Sequence, residues 1–447
     1  MTAPRMTVQR IIQEHGREYL HSHPQLPERS CDVLKDLAAC RTGAFGAHER
    51  QCAECGYHEI LPNSCRNRHC TTCGGPRRAK WLEKLLPQLL PTRYFQIVFT
   101  LPHEFIPLTR SQPEVLYGLL FRTAWETLQE LAADPRYLGA RLGAMAVLHT
   151  WNQELQPHPH VHFVVPAGGQ SPDGQQWIPF RQVQPRGGRK PKRNTSSLYL
   201  FPYKVVSRLF RGKFLAALTD AHRRDELVRE RLPDRWREPP AFQQRYRELS
   251  QREWVVYQES PPPGLEPAVL VKYLARYVAG VAISDQRLVS CVDGRVTFTV
   301  KNREQGGRRE ERQVSANDFL SRLLHHVLPA GLTRIRYYGI WGSRHAALRE
   351  HCRTLITASL PTSPPEATPP PPPVVTAVPT TADDKPICPC CQQHSVSLIA
   401  VVFTAKWRVR RAPLRRPLHP APSPRPLTAT AAPHFVEQRA LPTMDSS

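Results

Sequence analysis

Residues His158-Pro159-His160-Val161-His162-Phe163-Val164-Val165 alternate imidazole with apolar side chains and run into a β-branched stretch followed by Gly168-Gly169. A period of two is the signature of a strand, whose successive side chains point to opposite faces. His160, His162 and Val164 therefore share one face, and Val161, Phe163 and Val165 the other. Two imidazoles at i and i+2 on one face are well placed to hold one metal ion. The bland alternative is a histidine-rich edge strand with no ligand. The tightness of the cluster, the apolar face opposite and the glycine pair behind it argue against that alternative.

Hydrophobic periodicity organises the rest of the chain. Residues 8–39 read as helical, with apolar spacing at Val8, Ile11, Ile12, Val33, Leu34 and Leu37, and a cysteine-rich segment covers 52–73. A helix is predicted over 77–90, stopped by Pro91, then a strand over 94–101 and an amphipathic helix over 114–133. Strands at 144–150 and 161–165 read as hairpin partners. Residues 168–195, rich in Gly, Pro, Gln and Arg, read as a surface loop. Helices are predicted at 203–218, 267–278 and 319–327, and a short strand at 333–338. Strands at 287–291 and 296–300 flank Asp293-Gly294, a favoured two-residue hairpin turn. After about Leu360 the composition shifts to Pro, Ala, Thr and Arg, with a proline run at 369–373. Such a segment buries too little apolar surface to fold compactly and is predicted to be disordered. Three regions result: 8–92, helical and zinc-binding; 93–350, carrying the histidine strand; and 355–447, a proline-rich tail.

At 447 residues the chain has room for two or three domains. Its 61 Lys and Arg against 38 Asp and Glu give a net charge of +23, an excess that points to a polyanion, most simply nucleic acid. The N-terminus has no apolar core of a secretory signal, and runs such as 398–403 are too short to span a bilayer. A soluble, reducing, cytoplasmic setting is expected, where the twelve cysteines read as metal ligands rather than disulfides. Cys52-Ala53-Glu54-Cys55 and Cys70-Thr71-Thr72-Cys73 are two C-x-x-C knuckles fourteen residues apart. That spacing is close to that of one four-cysteine zinc site, with Cys65 and His69 as possible replacements inside the loop. Arg66 and Arg68 in the same loop are candidate phosphate contacts, with a solvated charge run as the alternative. Cys388 and Cys391 form a late pair with no evident second half.

A further helix, opened by Pro267 and closed by Gly280, carries Tyr273 and Tyr277 at i and i+4, with Lys272 and Arg276 beside them. A tyrosine pair at helical spacing is more often packing than chemistry. Beside a histidine metal site and a DNA-like charge balance, that order reverses. A tyrosine hydroxyl can attack a phosphodiester and form a covalent phosphotyrosine. Its free pKa of about 10 means it needs help at neutral pH, which a cation acting as a Lewis acid on the phosphate supplies.

In combination, Asn63-Ser64-Cys65-Arg66-Asn67-Arg68-His69-Cys70, His149-Thr150-Trp151, the His158–His162 stretch with Gly168-Gly169, and Tyr273-Leu274-Ala275-Arg276-Tyr277 resemble one family. It is the two-tyrosine rolling-circle transposases of the insertion sequence ninety-one type, within the HUH endonucleases. Val281–Ser284, His326–Pro329 and Ile335–Gly339 extend the likeness, which covers roughly residues 8–350. The resemblance implies an α+β fold: an HUH-endonuclease antiparallel sheet with flanking helices, preceded by a helical, zinc-ribbon-like domain and followed by a disordered tail. It implies His160 and His162 as ligands of Mg²⁺ or Mn²⁺, a structural Zn²⁺, and Tyr273 and Tyr277 as nucleophiles. His149, eleven residues before His160 as in related relaxases, would be the third ligand. His158 takes a flanking role, because Pro159 suggests that the strand has only begun there. Ala279-Gly280 and Asp285 depart from the family's pattern. The implied activity is nicking and transfer of single-stranded DNA, with no membrane partner and no nucleotide cofactor. Rival readings are a plasmid relaxase or replication initiator with the same chemistry, a histidine-triad nucleotide hydrolase, and a non-catalytic zinc-dependent DNA-binding regulator. The zinc segment and His326–Pro329 favour the transposase.

Overall fold

Two proline-bounded helices open the chain, α1 (Val8–Ser22) and α2 (Glu28–Ala38), followed by β1 (Ala47–Cys52), β2 (His58–Pro62) and α3 (Thr71–Leu85). Next come β3 (Tyr94–Thr100), α4 (Ile106–Ser111), α5 (Pro113–Ala133), β4 (Gly143–Trp151), β5 (Pro157–Pro166), β6 (Gly168–Gln170) and β7 (Trp177–Pro179). The chain continues through α6 (Tyr203–Arg223), α7 (Asp234–Arg237), α8 (Pro239–Gln251), β8 (Val256–Glu259), β9 (Leu288–Val292), β10 (Arg295–Asn302) and β11 (Arg308–Ser315). Then follow α9 (Ala316–Leu324), β12 (Ile335–Gly339), α10 (Ala346–Ser359), β13 (Val396–Val402) and β14 (Val409–Arg411). The structure, a computed structural model, describes residues 5–180, 199–259, 281–302, 307–359, 387–393, 396–402 and 409–411. These fall into two compact units, one within 1–31 and 74–361, the other within 32–73 and 362–444.

In the first unit an antiparallel sheet runs in the order β12-β4-β5-β3-β8. Its three middle strands are buried over nearly their whole length. Alternation sorts them by face. Phe95, Ile97 and Phe99, Ala146 and Leu148, and Val161, Phe163 and Val165 enter the main core, together with Leu120, Phe121, Ala124 and Leu128 of α5 and Phe210 and Phe214 of α6. Phe105, Phe210 and Phe214 pack around Trp254, with ring centroids 5.4–5.6 Å from it. Full burial of each such ring contributes roughly 1.5–3 kcal/mol of transfer free energy. On the opposite face, one end of the sheet (Tyr94, Met145, Val164) packs beneath Ile340, Trp341, Cys352 and Ile356. The other end of that face carries Gln96, His149, His160 and His162.

Local signals set the element ends. Thr7 caps α1 by accepting a hydrogen bond from the Arg10 backbone N–H, and Ser315 caps α9 by accepting from that of Asp318. Asp293 and Gly294 turn between β9 and β10 with φ of 48° and 68°, the left-handed pair that a tight hairpin requires. Gly168 sits at φ 149°, where a Cβ would lie 2.6 Å from the Ile178 carbonyl oxygen; only glycine allows β6 to pair with β7. No helix among the described residues is long and apolar enough to cross a membrane.

Several sequence expectations are corrected. The region 168–195, read as one loop, begins with the β6–β7 hairpin; 181–198 lie outside the described residues. β5 starts at Pro157, so Pro159 lies inside the strand and His158 belongs to it. The tail read over 355–447 contains structure. α10 runs to Ser359, and Val396–Val402 pairs antiparallel with β1 in a four-stranded sheet, order β14-β13-β1-β2, in the second unit. Composition hid this strand, because a short apolar run amid prolines gains its partner only from the far end of the chain. The helix predicted at 267–278 lies outside the described residues.

Candidate metal centre and cysteine clusters

Register brings three histidines together. β4 and β5 pair so that His149 lies opposite His160 and Val147 opposite His162, and β3 sets Val98 against His162. All three imidazoles are buried. One ring nitrogen from each lies within 4.8 Å of the other two. Ring centroids are 4.3 Å apart for His149 and His162, 4.9 Å for His160 and His162, and 5.1 Å for His149 and His160. His160 Nδ1 is 2.6 Å from the His158 carbonyl oxygen. A carbonyl only accepts, so Nδ1 carries the proton and Nε2 keeps its lone pair for a cation. The Gln96 carboxamide is 3.0 Å from His162 Nδ1. His158 stands outside the trio, half-buried, its ring centroid 4.9 Å from that of His160.

Burial keeps His149 and His162 neutral. It holds His149 well below the ordinary histidine range, reinforced by His162, His160 and Arg334. His162 is lowered to about 3, chiefly by burial and then by His158. Neutral imidazole is the form that binds metal, and three converging imidazole nitrogens suit a divalent first-row ion. Trp151 stacks on His149 at 5.2 Å, and the buried Arg334 guanidinium lies 5.4 Å above the Trp151 ring. His326 ties the same end of the sheet together. Its Nε2–H donates to the Leu155 carbonyl at 2.9 Å, which leaves Nδ1 to accept from the Thr150 hydroxyl at 3.1 Å. Gln96 and Arg334 carry no signal in the sequence; register alone reveals them.

The cysteines divide differently from the sequence reading. Cys52, Cys55, Cys70 and Cys73 do not form one site. Cys70 and Cys73 join Cys40 and Cys65, while Cys52 and Cys55 join Cys388 and Cys391. In the first cluster Sγ–Sγ distances are 3.7 Å for Cys40–Cys73, 3.6 Å for Cys65–Cys73 and 3.6 Å for Cys70–Cys40. The fourteen-residue spacing misleads because Cys40, at the end of α2, and Cys65 complete the later knuckle first. His69 is buried but is not among the four. Arg66 is exposed at φ 54° and Arg68 half-buried, both on the loop between Cys65 and Cys70. Asn67 braces that loop: its side-chain amide donates to Asp36, its carbonyl oxygen accepts from the His69 backbone N–H, and its own backbone N–H points at Cys65 Sγ, 3.4 Å away. Burial pushes the Cys70 thiol up to about 12, so that sulfur gives up its proton against a cation rather than alone. Tyr273, Tyr277, Lys272 and Arg276 lie outside the described residues.

Comparison with known proteins agrees with this division of labour. The family described as "Transposase zinc-binding domain" matches residues 11–101, and the family described as "Putative transposase" matches residues 143–348. A zinc-binding segment ahead of a transposase module on an antiparallel sheet defines the class. The chain belongs to the insertion sequence 91 type of transposases, proteins that act on DNA, with an N-terminal zinc-binding domain. "Putative transposase y4qJ" of Sinorhizobium fredii is 40% identical over 392 residues, 88% of this chain and 94% of that protein. "Transposase for insertion sequence element IS801" of Pseudomonas savastanoi pv. phaseolicola is 26% identical over 333 residues, 70% of each chain. No solved structure matches the chain significantly. The zinc-binding match and a complete four-cysteine cluster inside it support structural Zn²⁺.

Proposed function

We propose that this transposase nicks and transfers single-stranded DNA through a covalent phosphotyrosine, as in rolling-circle transposition, on a sheet of the HUH-endonuclease type. The observation that carries the reading is the buried trio His149, His160 and His162, a three-nitrogen donor set on two adjacent strands. These residues would hold Mg²⁺ or Mn²⁺, which when bound polarises the scissile phosphate as a Lewis acid. Tyr273 and Tyr277 are the nucleophiles. A tyrosine hydroxyl gives up its proton as its oxygen bonds to phosphorus, the bond from phosphorus to the leaving sugar oxygen breaks, and that oxygen takes up a proton. The phosphotyrosine keeps a phosphodiester-like bond, so a sugar hydroxyl at another strand end can displace the tyrosine without nucleotide hydrolysis. Two tyrosines allow two linked cleavages. Arg334, buried beside the histidines, is placed to offset charge gathering on the phosphate. Arg66, Arg68, Lys272 and Arg276 are assigned to the DNA backbone.

The test is cleavage of labelled single-stranded transposon-end DNA with Mn²⁺ or Mg²⁺ by wild type, Tyr273→Phe, Tyr277→Phe and the double variant. A protein–DNA adduct is expected from wild type and absent from the double variant, with DNA binding kept. An adduct that survives the double substitution sinks the tyrosine assignment. Binding with no nick by wild type under any divalent ion favours the regulatory reading.

A further inference from the structure

The family match to the zinc-binding domain ends at residue 101 and contains all of Cys40, Cys65, Cys70 and Cys73. Within that span Cys52 and Cys55 are only half a site. The structure supplies the other half from the opposite end of the sequence. Cys391 Sγ lies 3.6 Å from Cys52 Sγ, and Cys388 Sγ lies 3.6 Å from Cys55 Sγ. All four sulfurs lie within 4.8 Å of one another. Tetrahedral zinc thiolates at the usual bond length of 2.3 Å have sulfurs about 3.8 Å apart, whereas a disulfide would need about 2.05 Å.

Backbone geometry makes the second, independent observation. Cys52–Cys55 and Cys388–Cys391 are the same knuckle built twice. In one, the Cys52 N–H donates to the Tyr57 carbonyl at 2.9 Å and the Gly56 N–H to the Cys52 carbonyl at 3.1 Å. In the other, the Cys388 N–H donates to the Gln393 carbonyl at 2.8 Å and the Gln392 N–H to the Cys388 carbonyl at 2.9 Å. The residue after the second cysteine is left-handed in both, φ 72° at Gly56 and 62° at Gln392. Gln392 adopts a conformation that disfavours a side chain, which a loose loop would relax. The Cys390 N–H also points at Cys388 Sγ, 3.4 Å away, as the Asn67 N–H does at Cys65 in the first cluster. Around the knuckles the chain closes a sheet: β13 pairs with β1 from Cys52 opposite Val396 to Ala47 opposite Val402.

We propose that Cys52, Cys55, Cys388 and Cys391 bind a second structural zinc ion, which clasps residues 387–393 and 396–402 onto the N-terminal knuckle and joins the two cysteine pairs in one zinc ribbon. The inference does not depend on the nuclease chemistry above. Cys390, exposed between the two C-terminal ligands, takes no part.

The test is zinc content of the purified full-length chain by mass spectrometry of the metal. Two ions per chain are expected in wild type and in Cys390→Ser, and one in Cys388→Ser/Cys391→Ser. Cys388→His is expected to keep two, since imidazole can replace thiolate at zinc. One ion in wild type, or two retained by the Cys388→Ser/Cys391→Ser variant, overturns the proposal. If that variant cannot be recovered, wild type decides alone. Titration with an organomercurial should release two ions as eight thiols react, and release of a single ion overturns the site.

Discussion

At the scale of single residues, the histidine centre depends on which nitrogen carries the proton. The His158 carbonyl fixes that choice for His160, while the Gln96 amide nitrogen, 3.0 Å from His162 Nδ1, braces the His162 ring. With a cation on His162 Nε2 the proton sits on Nδ1, and the Gln96 carboxamide turns its oxygen to that proton in place of the amide nitrogen that faces Nδ1 at 3.0 Å. Losing such a supporting hydrogen bond costs about 10–100-fold in metal affinity. Gln96→Leu is therefore expected to raise the Mn²⁺ concentration for half-maximal nicking by about that factor, with the maximal rate recovered at saturating ion and Gln96→Glu close to wild type. A loss of rate that no amount of Mn²⁺ restores would count against a positioning role. His326 makes a pH prediction. Burial, helped by His325, Arg334 and Arg110 and opposed by the bond to Leu155, lowers it to about 4, against an ordinary 6.5. The unfolded chain takes the proton first as pH falls. Its contribution, on the order of 3 kcal/mol, is therefore full above about pH 6.5 and lost as pH drops through 4. Melting curves at pH 7 and pH 4.5 should show a smaller difference for His326→Gln than for wild type; equal differences would remove His326 from the account. The histidines were legible because alternation alone assigns a face. Gln96 was not, because a glutamine in a strand says nothing until β3 is placed beside β5.

At the scale of elements, the strands that were readable carry their own pattern: β3, β4 and β5 are apolar runs and β9–β10 has its turn dipeptide. β6, β7, β13 and β14 were missed for a shared reason. β6, β7 and β14 are three residues each, and for all four the pairing is decided by a neighbour rather than by the strand's own residues. α3 begins at Thr71, six residues before the predicted start, and carries Pro76 inside it, past the four N–H groups that need no intrahelical partner. The edge strand β12 gives a sharp test. Gly339 has φ 53°, and a Cβ there would lie 2.0 Å from the Leu142 carbonyl oxygen, a backbone atom that cannot step aside. Gly339→Ala should cost at least about 2–3 kcal/mol by loosening β12 from β4. Gly118, mid-helix in α5 with no atom within 4 Å of a built Cβ, is the contrasting case. Gly118→Ala should stabilise by about 0.5–1 kcal/mol. Thermal melts of the two variants should move in opposite directions from wild type; a Gly339→Ala melt at or above wild type would overturn the packing argument for Gly339.

At the scale of the whole molecule, distance along the chain is what concealed the cysteine partition. Spacing rules join neighbours in sequence, and here the true partners of Cys52 lie more than three hundred residues away. Charge, by contrast, is a global quantity that the sequence shows in full. A net +23 makes the DNA affinity of the chain a matter of released counterions, with the logarithm of the binding constant falling by about 0.7 per phosphate contact for each tenfold rise in salt on single strands. Arg66 and Arg68 lie on a loop held at both ends by cluster cysteines, so their positions are set before DNA arrives. If each meets one phosphate, Arg66→Ala/Arg68→Ala should reduce the salt slope by about 1.4 and weaken binding to unrelated single strands by similar factors. Zinc content should stay at the wild-type value, which separates a lost contact from a lost fold. Binding isotherms at several salt concentrations decide the matter. An unchanged slope would make the two arginines a solvated charge run, and a loss confined to one DNA sequence would make them readers of bases instead of backbone.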